Sequence, residues 1–102
     1  MSNSHVAEIV TFRLIKDADR TQFVEAAKGM EPFLQSTGAM VKRSLSCSKD
    51  GIWTDHIEWT SMQAAKEAAA AMMQRPEAGP FMSHIDESSV TMRHADILIT
   101  QG

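Results

Sequence analysis

The sequence predicts an α+β fold of ferredoxin-like type, ordered β-α-β-β-α-β, with a four-stranded antiparallel sheet and two helices on one face. Three observations lead there: a β-branched and aromatic run over residues 6–15, an Asp50-Gly51 turn between two strand-like runs, and two apolar patterns at helical spacing. The 102 residues fit one compact domain spanning 1–102, because a chain of this size closes a single hydrophobic core.

Residues 6–15, Val-Ala-Glu-Ile-Val-Thr-Phe-Arg-Leu-Ile, place apolar side chains at both parities, the pattern of a strand buried on two faces. Asp19 stands three residues before Gln22 as a helix N-cap, and Phe23, Ala26, Ala27, Met30, Phe33 and Leu34 follow at helical spacing. Gly29 and Pro32 predict a bend near residue 28, since proline removes a backbone donor and crowds the preceding turn. Gly38 ends the element.

Residues 39–48 alternate as a strand near an edge, and Asp50-Gly51 turns the chain into a third strand over 52–60. That strand sets Trp53, Asp55, Ile57 and Trp59 on one face and His56 and Glu58 on the other. Ser61 caps a second helix whose stripe is Met62, Ala65, Ala69, Met72 and Met73. Pro76 stops it, residues 80–85 form one further helical turn, and a last strand is expected over about 89–100. A hairpin between two crossovers puts strands one and three in the centre and strands two and four at the edges. Because two helices cover only one sheet face while strands one and four carry apolar side chains at both parities, the second face is expected to meet a symmetric partner, giving a homodimer.

Ten basic and thirteen acidic residues are interleaved at a net charge of -3, so no basic stripe is available for nucleic acid. The lone Cys47 excludes an internal disulfide and fits a reducing compartment. No apolar run approaches the roughly 20 residues of a membrane span, and the opening Met-Ser-Asn-Ser-His lacks the features of a secretory leader, so a cytoplasmic location is expected. The histidines at 5, 56, 84 and 94 show no metal-ligand spacing, and no metal or cofactor is expected.

Three residues are candidates for proton transfer. Asp55 shares a strand face with two indoles, where desolvation would favour its protonated form; the plainer alternatives are an ion pair with Arg13, Arg43 or His94, or a twist toward solvent. His84, on the turn after the second helix, can reach the open end of a helix-to-sheet cleft, or can be an exposed loop residue. His94, at the parity of Val90, Met92 and Leu98, is a half-buried strand residue, catalytic or simply hydrogen-bonded. Phe23, Phe33, Trp59, Met72 and Phe81 are expected to line an apolar ligand pocket, and Met30, Met72, Met73, Met82 and Met92 either line it adaptably or fill the core.

The βαββαβ order, Glu-Pro-Phe-Leu at 31–34, the Asp50-Gly51 turn followed by Trp53, Asp55 and Trp59-Thr60-Ser61, and the late Pro-Phe-Met and Ser-Val-Thr-Met-Arg-His segments resemble antibiotic biosynthesis monooxygenase-like domains. The resemblance covers nearly the whole chain and implies a dimeric α+β barrel, in a superfamily that includes cofactor-independent oxygenases, haem-degrading enzymes, lactone isomerases and stress-response proteins. Haem-degrading relatives use an Asn on strand one, a Trp on the second helix and a His on the short helix after it. Here those regions hold Thr11 and Phe12, then Met72 and Met73, and only His84 has a counterpart. Quinone-forming relatives orient a phenolic polycycle with tryptophan or polar residues, a part open to Trp59 and Asp55.

The resulting expectation is a small homodimer that binds an aromatic or polycyclic metabolite between helices and sheet, as a cofactor-independent oxygenase or isomerase. The alternatives are a fully packed, non-catalytic stress-response or regulatory module, and haem binding through His84.

Overall fold

A computed structural model describes residues 4–102. Met1, Ser2 and Asn3, part of the segment read for a leader, lie outside the described residues. The elements run β1 (Val6–Leu14), α1 (Arg20–Lys28), α2 (Glu31–Ser36), β2 (Met40–Cys47), β3 (Trp53–Trp59), α3 (Met62–Met72), α4 (Ala78–Met82) and β4 (Ile85–Asp96). The sheet is antiparallel throughout, in the order β2-β3-β1-β4, so β1 and β3 are central as the hairpin-and-crossover order requires. This is the ferredoxin-like α+β arrangement. Among the described residues, no helix is long and apolar enough to cross a membrane.

The bend expected near residue 28 is a full break. α1 stops at Lys28, Gly29 and Met30 form a turn, and α2 starts with Pro32 in its first turn, where a missing N–H does no harm. Asp19 Oδ1 accepts from the Gln22 backbone N–H (3.0 Å), and Ser61 Oγ accepts from that of Ala64 (3.1 Å), so both anticipated caps form. In the β2–β3 turn only Gly51 takes a positive φ, of 85°, and Ser48 N–H closes the turn on Ile52 O at 2.9 Å.

Pairing fixes which side chains share a face. Val6 stands opposite Trp59, Glu8 opposite Ile57, Val10 opposite Asp55 and Phe12 opposite Trp53. Since side chains alternate along a strand, this whole set projects to the helix-covered side. There Phe23, fully enclosed at 0% exposure, lies edge-on to Trp53 (ring centroids 4.9 Å) and Phe12 (5.7 Å) and stacks on Phe81 (5.4 Å). α3 meets the sheet through Ala65 and Ala68, which permit close approach, while Ala69 and Met73 of the expected stripe stay exposed.

Two expectations about strand limits are corrected. β4 begins at Ile85 rather than Ser89, because its first residues pair with Arg13 and Leu14 beyond an irregularity in β1–β4 pairing. Asp86 Oδ1 accepts from Ser88 N–H (3.1 Å), and Ser89 Oγ donates to Asp86 O (2.6 Å) and accepts from Arg13 N–H (2.8 Å), so side chains satisfy the backbone where the ladder slips. β4 also ends at Asp96, which leaves Ile97, Leu98 and Ile99 beyond the sheet, as Ile15 lies beyond β1. The uncovered face therefore holds fewer apolar residues than strand parity implied: Ala7 and Ile9 stand among Thr11, Thr54, His56 and Glu58.

Candidate functional site

Between the helices and the sheet lies a cleft of about 210 Å³. Its floor is Glu8, Val10 and Phe12 of β1, Asp55, Ile57 and Trp59 of β3, Arg43 of β2, and Val90 and Met92 of β4. Phe33 and Leu34 of α2, with residues of α3 and α4, form the opposite wall. All five methionines singled out in the sequence, Met30, Met72, Met73, Met82 and Met92, line it. Met73 and Met92 are 70% and 50% exposed and mark the solvent side, whereas Met30 is enclosed. Drug-sized sites run from roughly 300 to 1,000 Å³, so this cleft suits a small ligand.

The charged side chains of the lining are Glu8, Arg43 and Asp55. Arg43 and Asp55 form a two-pronged pair: Nε donates to Oδ1 (3.0 Å) and Nη2 to Oδ2 (2.8 Å). Nη1 of the same guanidinium donates to Ala27 O (2.8 Å), and the plane lies 5.7 Å from the Phe81 ring centre, tying α1 and α4 to the sheet. Both side chains are over nine-tenths buried. One of the alternatives read for Asp55 is therefore realised. A carboxylate with both oxygens held by arginine is a structural anchor, and it is poorly placed to accept a proton from a ligand.

Trp59 is 1% exposed, and among the described residues its Nε1 is the single enclosed side-chain polar atom without a hydrogen-bond partner. Buried donors are almost always paired, so an orphaned indole N–H in a cleft wall is a feature to be explained. Glu8, also buried, accepts through Oε1 from His94 Nε2 at 3.2 Å.

Phe33, Trp59, Met72 and Phe81 line the cleft, as does Asp55. Phe23 does not: it sits beneath α1 in the aromatic core, because the Asp19 cap sets the helix phase that drives it between Phe12 and Trp53. His84 also lies outside the lining, with Nδ1 donating to Pro80 O (2.7 Å) and its ring against Phe23 at 6.0 Å. His94 stands behind Glu8 rather than in the wall itself. His56 is exposed on the opposite sheet face, and His5 Nδ1 donates to Glu58 Oε2 (2.6 Å). Glu8 and Arg43 are lining residues beyond those expected from the sequence. Each breaks an otherwise apolar row, Glu8 between Val6 and Val10 and Arg43 ahead of Leu45 and Cys47, and that interruption was the available signal. Among the described residues no group of acidic, histidine or cysteine side chains is placed to hold a metal ion.

No family model matches the sequence, and neither does any curated protein. Solved structures do. SnoaB, a cofactor-independent oxygenase from Streptomyces nogalater, superposes with a TM-score of 0.66 at 16% identity, over 97% of this chain and 96% of that one. The ActVA-Orf6 monooxygenase of Streptomyces coelicolor, solved with the ligand Nanaomycin D, gives 0.71 at 18% identity, over 97% and 92%. A Caulobacter crescentus protein named as a candidate antibiotic biosynthesis monooxygenase gives 0.76 at 12% identity, over 95% and 92%. At these identities the likeness speaks to architecture: the chain has an antibiotic biosynthesis monooxygenase-like fold.

Proposed function

We propose that the cleft binds a small planar aromatic metabolite carrying a carbonyl oxygen, and that the protein acts on it as a cofactor-independent oxygenase or isomerase. The observation that carries this reading is the unpartnered Trp59 N–H in the wall of an apolar cleft. An enclosed donor without an acceptor is destabilising by about 1–3 kcal/mol, and a ligand oxygen that reached it as the flexible methionine wall gave way would relieve it. Two further points agree. The helix-to-sheet space is not fully packed, as a purely structural module would have it, and proteins of the same fold include an oxygenase described as cofactor-independent and one solved with a bound organic ligand.

The test is tryptophan emission of a Trp53→Phe variant, which leaves Trp59 as the sole emitter, titrated with 1,4-naphthoquinone. Saturable quenching at micromolar concentration is expected, with dioxygen uptake above that of heat-denatured protein when a hydroxynaphthalene is supplied. Linear, purely collisional quenching would overturn the binding reading.

In this reading the working unit is a homodimer. Half-buried Ile9 on the second sheet face, with Leu98 and Ile99 exposed beyond β4, supplies apolar surface for a second copy. Native mass spectrometry is expected to give twice the 11.3 kDa chain mass; a monomer at micromolar concentration would remove the dimer.

A further inference from the structure

We infer that Glu8, held in place by His94, is the residue of this cleft that receives a hydroxyl donor of its ligand. This rests on the cleft being a binding site and adds what that reading leaves open, the functional group opposite the carbonyl.

Glu8 sits in the middle of a central strand, flanked on its own face by Val6 and Val10 and opposite Ile57. An ionisable side chain in such a row carries a desolvation penalty that apolar residues would avoid. Its one hydrogen bond runs from Oε1 to His94 Nε2, directly across the β1–β4 pair. Oε2 has no hydrogen-bond partner among the described residues, yet Trp59 Nε1 alone is both unpartnered and sealed. Oε2 is therefore still open, on a residue that lines the cleft. A carboxylate oxygen in that position is acceptor-only and calls for a donor.

No other side chain of the wall donates to it. The Arg43 hydrogen bonds run to Asp55 and to Ala27 O, Trp59 Nε1 bonds to no side chain, and the remaining wall opposite the sheet, Ala68, Ala69, Met72, Met73, Phe81 and Met82, carries no side-chain N–H or O–H. His94 is the other titratable group against Glu8, and it acts as a positioning residue by holding Oε1 and leaving Oε2 for a ligand. Trp59 and Glu8 are diagonal neighbours on adjacent strands, a spacing of roughly 7–8 Å. One ring system can span it, packed toward the indole at one end and presenting a hydroxyl to the carboxylate at the other.

The experiment compares 7-hydroxycoumarin with 7-methoxycoumarin, two planar carbonyl compounds that differ in the donor alone. Wild-type protein is expected to bind the hydroxyl compound at least tenfold more tightly, the scale of a hydrogen bond to a charged group. The phenol-to-phenolate absorbance change of the bound compound should move to higher pH than that of the free one, because a carboxylate beside it disfavours a second negative charge. In Glu8→Gln both effects should shrink. Glu8→Met, apolar and of similar length, serves as the second variant should the amide disturb the strand. Equal affinities for the two compounds, or the same bound titration in wild type and variants, would overturn the hydroxyl subsite while leaving the cleft standing. Failure of both compounds to bind wild-type protein would overturn the subsite together with the cleft reading.

Discussion

Arg43 and Asp55 are diagonal neighbours on β2 and β3, joined through both carboxylate oxygens and both over nine-tenths buried. Removing one partner strands the other charge in a medium that solvates it poorly, a loss of about 3–5 kcal/mol. Arg43→Met and Asp55→Asn are each expected to lose that much in urea denaturation. The double variant Arg43→Met/Asp55→Leu should recover most of it, since an apolar pair of similar volume avoids the desolvation penalty. Single-variant losses under about 1 kcal/mol, the size of an exposed surface pair, would show that the guanidinium is not the anchor described.

That pair also shows where sequence reasoning stops. The face shared by Trp53, Asp55, Ile57 and Trp59 was legible from alternation alone, as were the central places of β1 and β3 and both helix caps. Which partner Asp55 takes depends on β2–β3 register, and that register shifts between Met40 and Lys42, a slip invisible in the residue types. Glu8 was hidden differently. A β1 row read for its apolar members yields Val6, Val10, Phe12 and Leu14, and the acid among them becomes informative only once its neighbours are known to face a cleft. Phe23 and Phe33 belong to one apolar stripe in the sequence, but the break at Gly29 and Met30 puts them on separate helices, and only Phe33 reaches the cleft.

Gly38 takes a φ of 69° between α2 and β2, and a Cβ placed there would meet nothing within 4 Å. Its requirement is conformational rather than steric. Gly38→Ala should therefore lose about 1–2 kcal/mol from forcing an L side chain into the left-handed region, with the unfolding slope unchanged. A neutral result in urea titration would mean that the connection relaxes to negative φ.

Asp50 in the β2–β3 turn accepts from the Ser48 hydroxyl, and this bond, followed by its own backbone amide, holds its carboxyl below the ordinary value of 3.8. A carboxyl depressed on folding contributes stability that is complete above its unfolded value and is lost as pH falls through the folded one. Ser48→Ala should thus weaken the protein at neutral pH and flatten the acid limb of its stability curve below about pH 4, where the unfolded carboxyl takes up its proton. Parallel acid limbs for wild type and variant, read from thermal midpoints between pH 2 and 6, would remove this link.

Trp59 offers the sharpest division between stability and binding, because its enclosed ring contributes packing while its N–H contributes a penalty. Trp59→Phe shrinks the ring, a loss of about 1–2 kcal/mol in transfer and cavity terms, and deletes the orphaned donor, a gain of about 1–3 kcal/mol. The two are of similar size, so the variant's urea midpoint should lie close to that of wild type, whereas Trp59→Ala should lose about 3–5 kcal/mol. Affinity for 1,4-naphthoquinone, measured by calorimetry so that the lost fluorophore does not matter, should nevertheless fall about tenfold in Trp59→Phe, the worth of the hydrogen bond to the ligand carbonyl. If Trp59→Phe is instead as unstable as Trp59→Ala, the indole N–H already has an acceptor in the free protein. Its part in holding a ligand then falls with it.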